Sequence, residues 1–195
     1  MFNRTRKLLP RGTAIVITLG VLLLTYQIVL AYYLLGGKWS GFPQYYIRSV
    51  SGSPGSYISI IDSAVGSWNA TPTKARLYLT SPNQESIQIT AAYYGSPANC
   101  NGSMIVWSGC AYMYPNPYDG IYTYGTIKIN RTVIEAYIYS GIKTQGVVAH
   151  EIGHILGLGH VSGQALMYST DQRYDWWYIY TPQADDINGV NARYP

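Results

Sequence analysis

Charge is scarce in this sequence. Only 11% of its 195 residues are Asp, Glu, Lys or Arg, and the formal net charge is +4. Arg4, Arg6, Lys7 and Arg11 all precede the first apolar run, and the remaining nine Lys and Arg are matched by nine Asp and Glu. The part of the chain able to fold is therefore neutral. That excludes the basic surface needed to track a phosphate backbone, and no nucleic acid partner is expected. Histidine is scarcer still, at three copies, and cysteine stops at two, so at most one disulfide can form. What is abundant is Tyr, at 21 copies. Low charge with many Tyr correlates with outward-facing proteins. The length allows one domain and an appendage.

All three histidines fall in one stretch, His150-Glu151-Ile152-Gly153-His154-Ile155-Leu156-Gly157-Leu158-Gly159-His160. It reads H-E-x-x-H-x-x-G-x-x-H with each defined position filled. Positions i and i+4 of a helix share a face, so His150 and His154 can turn imidazole nitrogens to one metal ion. Glu151 sits beside them, within reach of a water on that metal. Gly157 lets the backbone leave the helix and return with His160 as a third ligand. Three protein ligands leave a fourth tetrahedral position open, as in catalytic rather than structural zinc sites. Chance would produce this pattern in fewer than roughly one in ten thousand chains of this length. The bland reading, three core histidines, requires three accidents in register.

The motif resembles that of the metzincin metallopeptidases. These carry a methionine turn beneath the zinc, and Ala165-Leu166-Met167-Tyr168 follows His160 at that distance. Within the clan the sequence is most similar to the matrixins, which often have A-L-M-Y at this turn and a C-terminal helix opening near D-D-I-x-G, here Asp185 to Gly189. The specific likeness covers residues 144–190, with a weaker one back to about residue 44. Val161 stands where matrixins commonly have Ser. Ser169 stands where some metzincins place a zinc-ligating Tyr, so no fifth protein ligand is expected. The resemblance implies an α+β, zincin-like fold: a twisted mixed sheet with two helices, a zinc cleft, and a small C-terminal subdomain with one helix. It implies one catalytic Zn2+ on His150, His154 and His160, Glu151 as general base, and Met167 as the structural floor. It also implies that substrate backbone pairs with an edge strand above the zinc, for which residues 104–115 are the candidate. In matrixins a loop near 112–124 binds structural zinc and calcium. Here it holds no His and one acid, Asp119, which argues against a second zinc and leaves little to hold calcium. The wall of the pocket for the substrate side chain after the scissile bond lies just past the Met-turn in matrixins. Tyr174, Trp176, Trp177, Tyr178 and Tyr180 crowd that region, either as this wall or as packing against the last helix.

Residues 1–12 read as a basic cytosolic tail. Ala14 through Leu35 carry no charge, and as a helix these residues would span about 33 Å against a hydrocarbon core of about 30 Å. Residues 13–36 are therefore expected to be a transmembrane signal-anchor, with Tyr32, Tyr33 and Trp39 near the outer interface. A cleaved signal peptide is the competing reading, although its apolar core is usually shorter and ends at a small-x-small site. A buried core helix is a third. The first two put the rest outside the cytosol, as a single-pass cell-membrane protein or a secreted one. Residues 37–43 read as a linker and 44–195 as the metallopeptidase domain. Little room is left between Leu35 and the first strand for an inhibitory pro-segment.

Strands are expected at 44–48, 75–80, 86–93, 104–107 and 124–130, and a helix at 57–68 with Tyr57, Ile58, Ile61, Ala64, Val65 and Trp68 on one face. Residues 95–102 and 112–124 read as loops, and 131–141 as ambiguous. The motif helix should run from about Thr144 to Leu156, and Thr181-Pro182 should open the last one. Cys100 and Cys110 bracket the 104–107 strand and, in an extracellular setting, most simply form a disulfide worth roughly 2–3 kcal/mol. Metal binding or a zinc-blocking thiol is the alternative. Sequons at Asn69, Asn101 and Asn130 permit glycosylation. The expected function is a monomeric, membrane-anchored extracellular zinc endopeptidase cleaving protein or peptide substrates. The alternative is a surface or processing protein that keeps the fold with narrow or no turnover, which the intact Glu151 weighs against.

Overall fold

The computed structural model describes residues 32–53 and 55–195. The described elements are β1 (Gln44–Val50), α1 (Tyr57–Asn69), β2 (Leu77–Leu79), β3 (Ile87–Ala92), β4 (Ala98–Cys100), β5 (Ser103–Ile105), β6 (Gly109–Tyr114), β7 (Tyr124–Asn130), α2 (Arg131–Ala136), α3 (Gly141–Ile155), α4 (Gln172–Trp177) and α5 (Ala184–Arg193). The main sheet has the order β2-β1-β3-β7-β6. Its first four strands are parallel and β6 runs antiparallel to β7 along one edge. This is the mixed sheet with helices that the sequence implied.

Alternation builds the sheet and helical spacing builds its cover. In β3, Ile87, Ile89 and Ala91 are buried, and so are Ile127 and Ile129 of β7. Tyr57, Ile61, Ala64, Val65 and Trp68 form the buried face of α1, and Val147, Val148, Ile152 and Ile155 that of α3. These side chains belong to one core. Trp68 joins the two helices, fully buried, with its indole N–H donating to the Ala149 carbonyl at 2.8 Å.

Several elements differ from the sequence reading. The α3 helix starts at Gly141, three residues early, because Ser140 caps it by accepting from the Lys143 amide at 3.1 Å. The α5 helix starts after Gln183 rather than at Thr181-Pro182, since Asp186 reaches back to the Gln183 amide at 2.8 Å. The C-terminal region holds two helices, the short α4 as well as α5. Residues 98–105 form a hairpin, β4 with β5, which the stretch 95–102 was expected to leave as loop. The disulfide Cys100–Cys110 ties this hairpin to β6. Asn130 is completely buried and caps α2 by accepting from the Thr132 amide, so its sequon is not available in the folded chain. Asn101 is exposed.

Residues 37–43 are not a free linker. Trp39 is buried, and its indole N–H donates to the Ile155 carbonyl at 2.8 Å, satisfying an acceptor that the end of α3 leaves open. The last residues of the expected membrane span, 32–36, are described and are not helical. Leu35 donates its amide to Gly157 at 2.8 Å and Tyr33 accepts from Gly159 at 2.8 Å, because the glycines leave backbone edges open to pairing. The rest of that span lies outside the described residues. No described helix is long and apolar enough to cross a membrane.

Candidate metal centre and cleft

The α3 helix presents His150 and His154 one turn apart, and the chain reverses at Gly157. This glycine has φ +89°, a conformation that a side chain would strain. The reversal returns His160 to its partners. The Nε2 atom of His160 lies 3.2 Å from that of His150 and 3.1 Å from that of His154. Tetrahedral zinc with Zn–N bonds of about 2.0–2.1 Å sets its ligand nitrogens about 3.3 Å apart, so the spacing suits that ion.

Tautomers point the same way. The Nδ1 atoms of His150 and His154 each lie 2.8 Å from a carbonyl oxygen, those of Leu166 and Leu158. A carbonyl only accepts, so each Nδ1 carries the proton and each Nε2 turns a lone pair to the shared centre. The three histidines are the one group of three or more potential metal ligands among the described residues. Burial holds the His150 imidazole well below its ordinary pKa, with the Arg173 charge adding to this. Burial, then His160, pushes His154 down to about 4, and burial with Arg173 lowers His160. All three are thus neutral near pH 7, the form that binds metal.

Glu151 is buried beside the triad. Burial pushes its carboxyl up to about 8, Arg173 opposing and Asp171 reinforcing the shift. Strand β6 crosses directly over it at Gly109, where a Cβ would come within 2.6 Å of Glu151 Cγ and Oε1. Only glycine lets the edge strand pass so near the carboxylate. Met167 is buried with its sulfur against Gly153, on the inner side of α3.

The turn carrying Met167 is held by a residue that the sequence identified only as a helix-start acid. Buried Asp186 accepts from the Leu166 amide at 2.9 Å and the Met167 amide at 3.0 Å. Leu166 in turn orients His150 through its carbonyl. Asp186 is thus two links from a candidate ligand, an arrangement the D-D-I-x-G run alone does not reveal.

A cavity of about 800 Å3 opens around these groups, bounded by Ser108 and the Gly109–Ala111 part of β6, by Tyr139, and by Ser169–Asp171 with Arg173. The aromatic segment does not line it. Trp176 and Tyr178 are exposed and Trp177 packs on the core, the rings contacting one another instead. Sequence reasoning missed Arg173, which is almost fully buried yet charged. It donates to the carbonyls of Thr170 at 2.9 Å and Gly146 at 3.1 Å and pairs with Asp171 at 3.3 Å. A lone Arg among aromatics gives no sequence signal for such a role.

The matrixin family model matches residues 59–195. No curated protein matches the chain. Among solved structures, a chain in the GM1-bound form of the ECX AB5 holotoxin is similar at 15% identity and a TM-score of 0.49, with 76% of this chain and 78% of that chain covered.

Proposed function

The chain belongs to the matrixin family, and we propose that it is a zinc-dependent endopeptidase, with His150, His154 and His160 as ligands and Glu151 as general base. The convergence of three Nε2 atoms at 3.1–3.2 Å, beside a buried carboxylate, is the observation that carries this reading. Bound zinc would supply Lewis acidity, polarising a peptide carbonyl and lowering the pKa of water. The residues do the rest. The Leu166 and Leu158 carbonyls keep two imidazoles in the ligating tautomer. Glu151 accepts the proton of the attacking water and delivers it to the departing amine. Its raised proton affinity suits both halves of that task, and a nearby cation brings it back towards the ionised form.

The outer edge of β6 can add an extended peptide as a further strand, which would lay a scissile bond across the triad. The recess between Glu151, Ser108 and Asp171 would then take the side chain after that bond. We place the enzyme outside the cytosol, anchored by its N-terminal apolar run or released from it. The basic tail ahead of that run and the Cys100–Cys110 disulfide support this.

The test uses the full chain, measuring zinc content and cleavage of a mixed protein substrate with and without chelator. One bound zinc with chelator-sensitive cleavage, abolished by Glu151→Gln while zinc is retained, is expected. Cleavage by Glu151→Gln at the wild-type rate would remove Glu151 as the base.

A further inference from the structure

The recess beside Glu151 has a chemical character that can be read from its hydrogen bonds. Ser108 Oγ donates to Asp171 Oδ2 at 2.6 Å, and the Tyr139 hydroxyl donates to the same oxygen at 2.9 Å. Thr170 turns its hydroxyl proton to Gln172 at 3.2 Å. Arg173 commits its terminal nitrogens to Thr170, Gly146 and Asp171, and its Nε is buried. The hydroxyl donors are therefore occupied within the protein, and the Arg173 Nε, which has no partner, is buried out of an incoming group's reach. What they leave for an incoming group is acceptor capacity: lone pairs on Ser108 Oγ and Tyr139 Oη, and the lone pair of Asp171 Oδ1 not turned to Arg173.

Ser108, Tyr139, Asp171 and Glu151 line the same cavity. The arrangement is also fixed in place. Lys143 Nζ sits 4.2 Å from the centre of the Tyr139 ring, and the buried Arg173 holds Asp171 from behind. An apolar side chain entering here would strip water from these acceptors without replacing its hydrogen bonds, and a carboxylate would meet two acids, Asp171 and Glu151, against the one Arg173 already paired with Asp171.

We propose that the Ser108–Asp171–Tyr139 cluster makes this recess selective for substrate side chains that donate hydrogen bonds, amides, amines or hydroxyls, over aliphatic and acidic ones. This rests on the peptidase reading only in taking the lodged residue to be the one after the cleaved bond.

The experiment measures binding to the full-length, zinc-loaded Glu151→Gln protein, so turnover is not needed. The probes are peptide hydroxamates identical except for one side chain next to the hydroxamate: glutamine-like, lysine-like, leucine-like or glutamate-like. The amide and amine probes are expected to bind at least about tenfold tighter than the leucine probe, the worth of one to two retained hydrogen bonds, with the glutamate probe weakest. Tyr139→Phe, added to that background, keeps the Asp171–Arg173 pair and should cut the donor preference several-fold while leaving the leucine probe unchanged. Ser108→Ala tests the same point from the residue just before β6. Tightest binding of the leucine probe, or equal weakening of every probe in both variants, would overturn the proposal. Side-chain discrimination by a protein that cleaves no peptide would leave the proposal standing and remove the peptidase reading.

Discussion

At the scale of single residues, Gly109 and Asp186 carry the sharpest expectations. A methyl group at position 109 meets the Glu151 side chain at 2.6 Å, so Gly109→Ala must displace the carboxylate or the edge strand. Zinc should remain and kcat should fall on the order of a hundredfold, the usual effect of misplacing a reacting group by about 1 Å. Equal kcat in the two proteins, in an assay matched for zinc content, would show that Glu151 needs no such clearance. Asp186→Ala leaves the Leu166, Met167 and Gln183 amides without their acceptor. Thermal unfolding should show a loss of about 3 kcal/mol or more, and competition with a chelator should show zinc held about tenfold more weakly. The ligands and base were legible because they lie on one helix and its first turn, where spacing alone determines geometry. Asp186, Asp171 and Arg173 were not. Their roles depend on Ser108, Tyr139 and the Met-turn, brought to them from distant parts of the chain.

At the scale of elements, the α1–α3 contact and the hairpin staple are separable. Trp68→Ala removes the largest buried side chain between the two helices and should cost about 3–5 kcal/mol, read from denaturant unfolding at unchanged m-value. Cys100→Ser with Cys110→Ser should cost about 2–3 kcal/mol. That loss should appear as faster hydrogen exchange in β4 and β5, while α1 keeps its protection. Long periodic segments such as α1, β3 and β7 declared themselves by spacing. The β4–β5 pair did not, because strands this short offer too few alternations, and Met104 and Ile105 are exposed. Trp39 read as part of a linker because glycines and a proline surround it; only the open carbonyl of Ile155 explains its burial.

At the scale of the whole molecule, the metal-free protein should have a stability optimum in mildly acidic solution. His154 has a folded pKa near 4, below its ordinary 6.5. The unfolded chain then binds more protons between those values, so stability falls as pH drops from about 6.5 to 4. Glu151 has the opposite shift, from 4.5 to about 8, so the folded chain binds more protons and stability falls as pH rises through that window. Melting temperatures of the chelated protein across pH 4–9 should therefore peak near pH 6.5, where the histidine rise ends and the Glu151 fall continues. Glu151→Gln should flatten the fall above about pH 6.5 and steepen the rise below it, where the two groups oppose each other. An unchanged alkaline slope in that variant would assign it to another group.

The packing of Trp39 has a further consequence, one of timing. Its amide hydrogen bonds to the Tyr194 hydroxyl, and the Arg193 guanidinium clasps the carbonyls of Leu35 and Gly37, contacts that span more than 150 residues of sequence. Parallel strands from distant parts of the chain already make such a topology slow to assemble. A growing polypeptide cannot close this clasp until Arg193 and Tyr194 have left the ribosome, or brace the Met-turn until Asp186 has. The three imidazoles are synthesised before the residues that lock their surroundings. Between the synthesis of His160 and that of Arg193, a nascent chain should therefore hold all three imidazoles without the contacts that lock their surroundings.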